Sequence, residues 1–61
     1  MSQAEIDAMN EIKALGVQVG ALVDKLEATE GIDKRWLAIG KTDAQKAFMA
    51  LVRSVAQPTT F

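Results

Sequence analysis

Apolar and small residues recur at Ala8, Ile12, Leu15, Val19, Leu22 and Leu26. Their steps alternate between four and three, which places all six on one stripe of a helix. Met9, Gly16 and Val23 widen that stripe, and Ile6 extends it by a turn. The result is wider than a single neighbouring helix needs. Asp7, Glu11, Gln18, Asp24 and Lys25 supply the polar side. The spacing predicts a first helix over residues 4–28. Ser2, followed three residues later by Glu5, has the form of a capping box. Glu5, Asp7 and Glu11 suit the positive end of the helix dipole.

Thr29-Glu30-Gly31 breaks the pattern. Gly31 suits a left-handed C-terminal position, and Asp33 suits the N-cap of a second helix. A second stripe then runs through Leu37, Gly40, Ala44, Ala47, Leu51 and Val55, broadened by Trp36, Phe48 and Val52. It predicts a helix over residues 34–56, ended at Gln57-Pro58 because proline disfavours helical geometry in the residue before it. So short a connection makes the helices antiparallel neighbours. Gly40, Ala44 and Ala47 would allow close helix approach. Gly16 and Gly20, four apart on one face, would allow close contact with a partner helix or a ligand, or are tolerated weak points. The tail Thr59-Thr60-Phe61 offers one more apolar side chain, which packs on the hairpin, packs on a neighbour, or frays.

The expected architecture is therefore all-α: one helical hairpin domain over residues 1–61. An elongated hairpin of this size buries too little to stand alone, and the chain has no disulfide to compensate. The missing burial most simply comes from further copies, giving a homo-oligomeric helical bundle.

Composition removes several chemistries. The 61 residues include no Cys and no His, so no disulfide, Cys/His zinc site, thiol nucleophile or imidazole base can form. Absence of Cys fits a reducing compartment. No run of 18 apolar residues exists to span a membrane, and Met1-Ser2-Gln3-Ala4-Glu5 lacks the basic start of a signal peptide. Seven basic and eight acidic residues disfavour broad binding to duplex nucleic acid. No cofactor is implied. Asp7 and Glu11 share a face, but helix-end electrostatics and solubility explain them better than acid catalysis does. Gly40-Lys41-Thr42 is like the end of a P-loop. The glycine required five residues earlier is Arg35, and no strand precedes it, so that reading fails.

Lys13 and Arg53 are the candidate anion contacts. Each sits at the edge of an apolar stripe, where a long cationic side chain covers apolar surface while presenting its head to an anion. Arginine suits bidentate phosphate or base-edge recognition, and lysine a point contact with phosphate. Ordinary surface charge is the competing explanation for each. Asn10, one turn from Lys13, could read a base edge. Trp36 could stack on a base or serve as an interface anchor, the better fit for the largest hydrophobe in a chain with three aromatic residues.

Three strings carry a wider likeness: Glu5-Ile6-Asp7-Ala8-Met9-Asn10-Glu11-Ile12-Lys13, Arg35-Trp36-Leu37-Ala38-Ile39-Gly40-Lys41-Thr42-Asp43, and Phe48 through Phe61. Together they resemble the phage anti-CBASS cyclic-nucleotide sponge family, whose hairpin domain is shared with an anti-Thoeris sponge family. The resemblance implies a homo-oligomer, typically a hexamer built from dimers, acting in the host bacterial cytoplasm. It implies that signalling cyclic di- or trinucleotides are sequestered, uncleaved, in pockets between protomers. By the same resemblance Lys13 takes the place of a phosphate-binding lysine. Arg53 takes that of an arginine in a separate cyclic-trinucleotide pocket, with Asn10 a further pocket candidate. One departure is visible: the family implies a base-stacking aromatic ahead of the first helix, and no aromatic residue precedes Ala4 here.

Overall fold

The computed structural model describes residues 1–57 and contains two helices, α1 (Gln3–Glu27) and α2 (Lys34–Ala56). Phe61 and the rest of the tail lie outside the described residues.

Both helices begin at the caps read from the sequence. Ser2 Oγ accepts from the Glu5 amide at 3.2 Å, and the Glu5 carboxylate accepts from the Ser2 amide at 3.4 Å, completing a capping box. Asp33 Oδ1 accepts from the Arg35 and Trp36 amides at 3.0 and 3.1 Å. Gly31 takes φ +84°, the left-handed conformation that reverses the chain. α2 ends where Gln57, the residue before proline, turns left-handed at φ 39°.

The turn carries one feature that periodicity does not reveal. Lys34 Nζ donates to the carbonyls of Leu26, Glu27 and Thr29 at 3.1, 2.8 and 3.1 Å. These carbonyls lie at the C-terminal end of α1 and just beyond it, where backbone acceptors lack helical partners and the dipole is negative. One ammonium from α2 thus fastens the end of α1. Lys41 Nζ adds an ion pair to Glu27 Oε1 at 3.2 Å, two turns further along α2.

The hairpin seam follows a different line from the expected one. On α1, Ala8, Met9, Ile12, Gly16, Val19, Val23 and Leu26 are half-buried; on α2, Leu37, Ala44, Phe48, Val52 and Val55 are. Periodicity puts Leu15 and Leu22 on the main stripe of α1, yet they are 52% and 54% exposed. It puts Leu51 on that of α2, yet Leu51 is 46% exposed, and Gly40 and Ala47 are exposed too. Each stripe is wider than one neighbour can cover, and the line that meets the other helix runs through Gly16 and Phe48, where a Cβ at Gly16 would stand 3.9 Å from the ring, ordinary contact distance. The leucines are rotated to one flank.

No described residue is buried. The molecule is a plank with principal extents of 45 × 23 × 9 Å. Its two broad sides differ. Leu15, Leu22, Gly40, Ala47 and Leu51 share one side by helical spacing, here called the leucine face. The opposite side carries Gly20, Met49 and most of the basic residues, and is called the basic face.

Candidate functional site

The basic face holds a groove along the seam. Its floor is Gly16, Val19, Val23, Ala44 and Phe48, and Gly20, Asp24, Lys41, Gln45 and Met49 form its sides. At Gly20, on its side, nothing stands within 4 Å of where a Cβ would be. The open groove offers about 580 Å³, within the range of small-molecule sites. It continues past Phe48 and Met49 into a second hollow lined by Ala50, Val52, Arg53 and Ala56.

Arg53 therefore lines apolar surface, as its stripe-edge position suggested. Lys13 lies two turns before Gly20 on the same line of α1, and is not among the residues that line the groove or the second hollow. Lys46 lies two turns before Arg53. The side chains of Asn10, Lys13, Lys46 and Arg53 make no hydrogen bond or ion pair among the described residues, where Lys41–Glu27 is the one ion pair. Among the described residues the basic face thus presents cations without a polar partner, one of them, Arg53, beside apolar surface. On α2, Arg35, Lys46 and Arg53 recur at helical spacing on this side, while the leucine-face side carries no cation and only Asp43 at its edge.

The four sequence candidates do not converge in one chain. Asn10 and Lys13 are one turn apart on α1, at about the level of Arg53 on the antiparallel helix. Trp36 is 17 positions from Arg53 on the same helix, about 25 Å away at 1.5 Å per residue. It is 64% exposed, with the Arg35 guanidinium 5.8 Å from its ring centroid. Trp36 can join the other three only through another copy. Sequence reasoning does not group the groove residues Gly20, Gln45 and Met49. Their signal is a shared side across the seam, which requires knowing the register of the two helices.

Among the described residues, no group of three or more His, Cys, Asp or Glu could hold a metal ion. No helix among them is long and apolar enough to cross a membrane.

Comparison with known proteins leads to the same hairpin. The family model of the Acb2/Tad1 hairpin domain matches residues 1–56. Anti-CBASS protein 2 of Pseudomonas phage JBD67 is 32% identical over an alignment of 92 residues, covering 95% of this chain and 85% of that protein. No solved structure matches. With its two capped helices and their connection all inside the matched span, this chain belongs to the Acb2/Tad1 hairpin-domain family.

Proposed function

We propose that this protein is a non-catalytic sponge for signalling cyclic oligonucleotides, suppressing CBASS-type bacterial defence from within the host cytoplasm. The family membership sets the class of function. The observation that supports the reading for this chain is the basic face, where Lys41 lines an apolar groove, Arg53 lines the hollow that continues it, and Lys13 shares the side of α1 that carries Gly20.

Cyclic di- and trinucleotides are compact polyanions with flat bases. Their phosphates call for lysine and arginine, and their bases for apolar or aromatic surface. The groove offers both but is open along its length, so one chain cannot enclose a ligand. A second protomer laid over it would. The site is then a property of the homo-oligomer, in this reading a hexamer built from dimers, and ligand binding stabilises the assembly by mass action. Lys13 contacts phosphate, Arg53 serves a cyclic-trinucleotide pocket, and Asn10 reads a base edge beside Lys13. Trp36 enters a pocket only from another copy.

Calorimetric titration of the assembled protein with a panel of cyclic di- and trinucleotides tests this. Saturable binding of at least one at micromolar ligand or below is expected. No binding by correctly assembled protein would leave a homo-oligomeric interaction module as the better reading.

A further inference from the structure

We infer, resting on the sponge reading, that the turn end of the groove reads guanine, with Asp24 as the residue that sets the base preference.

Asp24 is a charge its own helix does not call for. It opens the last turn of α1, beside the negative end of the dipole, where a carboxylate is unfavourable. One turn on stands Glu27, a like charge, and one turn back stands Gly20. The Asp24 side chain makes no hydrogen bond or ion pair among the described residues, where Lys41–Glu27 is the one ion pair. Yet Asp24 lines the groove.

A carboxylate there turns phosphate away from the turn end, because like charges repel. Phosphate is drawn instead to the cations further along the basic face. The Gly16–Phe48 contact makes residues summing to about 64 level across the hairpin, so Asp24 is level with about residue 40 of α2. Lys46 then lies about 9 Å further along the seam at 1.5 Å per residue. That separation suits one nucleotide, with its base edge at Asp24 and its phosphate at Lys46.

An ionised carboxylate offers acceptors only, two side by side. Guanine answers them with two adjacent donors on its Watson–Crick edge, N1–H and the N2 amine, followed by the O6 acceptor. Adenine sets one donor, the N6 amine, beside the N1 lone pair, which would face a carboxylate oxygen. The α2 side of the groove matches the third position of guanine. Lys41 and Gln45 line it there, with Lys41 about level with Asp24. Lys41 Nζ holds Glu27 Oε1 at 3.2 Å and has further protons for O6, and the Gln45 amide can donate as well. One side accepts and the other donates, the order that the guanine edge requires and the adenine edge reverses. Val19, Val23 and Ala44 give the ring an apolar floor. A closed site of this kind discriminates by several orders of magnitude; in a groove open to water, about tenfold is expected.

Calorimetric titration of the assembled protein reads the preference. The ligand pairs are cyclic di-GMP against cyclic di-AMP, and a cyclic trinucleotide with one guanine against its all-adenine counterpart. In whichever pair binds, the guanine member should bind about tenfold tighter. Cyclic di-IMP, which keeps N1–H but lacks the N2 amine, should fall between the two dinucleotides. Asp24→Asn puts a donor where an acceptor stood at nearly the same size. It should abolish the preference and leave the adenine-only ligand within about twofold, whereas Asp24→Glu, which keeps the carboxylate, should still favour guanine. Binding without base preference, a preference for adenine, or a guanine preference unchanged in Asp24→Asn would overturn the role of Asp24 and leave sequestration standing. No binding of any ligand by assembled protein would overturn both.

Discussion

Replacing Gly20 by alanine separates folding from ligand accommodation. Gly20 lies inside α1 with helical geometry, and an added Cβ meets no atom within 4 Å. In a helix interior, glycine is about 1 kcal/mol less favourable than alanine, so Gly20→Ala should stabilise the hairpin by about that amount. In a domain of this size, the gain corresponds to a rise in Tm of roughly 4–8 °C. The methyl group enters the side of the groove, so it should also reduce nucleotide affinity, by about tenfold where a ligand approaches the backbone closely. Gly16→Ala is the matched comparison. Its Cβ would stand 3.9 Å from the Phe48 ring, ordinary contact distance, so it should stabilise without entering the groove as far. Gly31→Ala should have the opposite sign, because φ +84° costs an L-residue roughly 1–2 kcal/mol. The assay is thermal unfolding by circular dichroism at fixed protein concentration, without ligand, since association shifts Tm. A lower Tm for Gly20→Ala would refute the reasoning that a Cβ at this position stands in open space.

Four further outcomes are expected. Lys34→Met removes the ammonium from three carbonyls at the end of α1 and should cost about 1 kcal/mol, with faster amide exchange confined to the turn; Lys34→Arg should recover part of the loss. Lys13→Ala should weaken cyclic-nucleotide binding tenfold or more in calorimetry with helix content unchanged, and equal binding would remove Lys13 from the site. Arg53→Ala should selectively lose cyclic trinucleotide while still assembling, so retained binding would exclude its direct role. Trp36→Ala should weaken association in sedimentation more than it changes ligand affinity per assembled site, because Trp36 lies about 25 Å from Arg53 in its own chain.

Much of the fold was legible because its signals are local. The Ser2–Glu5 box, the Asp33 cap, Gly31 and the Gln57-Pro58 stop each act within a few residues, and they bound both helices to within one residue. The orientation of the helices about their own axes was not legible. Both stripes were wide enough for several seams, and the choice rests on the nonlocal fit of the two helices, which meet along Gly16 and Phe48 among others. That fit moves Leu15, Leu22 and Leu51 out of the hairpin contact. The width of the stripes did signal that apolar surface would remain outside the hairpin contact, as Leu15, Leu22 and Leu51 do. The Lys34 clasp was hidden for a related reason: a lysine in the first turn of a helix ordinarily opposes the dipole, and only the chain reversal brings it to the negative end of α1.

The site was legible only in part. Lys13 and Arg53 stand out by type and stripe-edge position. Their relation to a groove and to each other needs the register of α1 against α2, and that of Trp36 to them is not met within one chain. The sorting of leucines and cations to opposite broad sides is visible only once the seam is known.

The most direct measurement of the central claim is recovery of captured ligand. Assembled protein is incubated with an equimolar cyclic di- or trinucleotide, separated from free nucleotide, then denatured and the released compound quantified. Intact nucleotide returned in stoichiometric amount per site, for at least one member of the panel, is the expected result. Linearised product, or no nucleotide carried with the protein, would contradict sequestration.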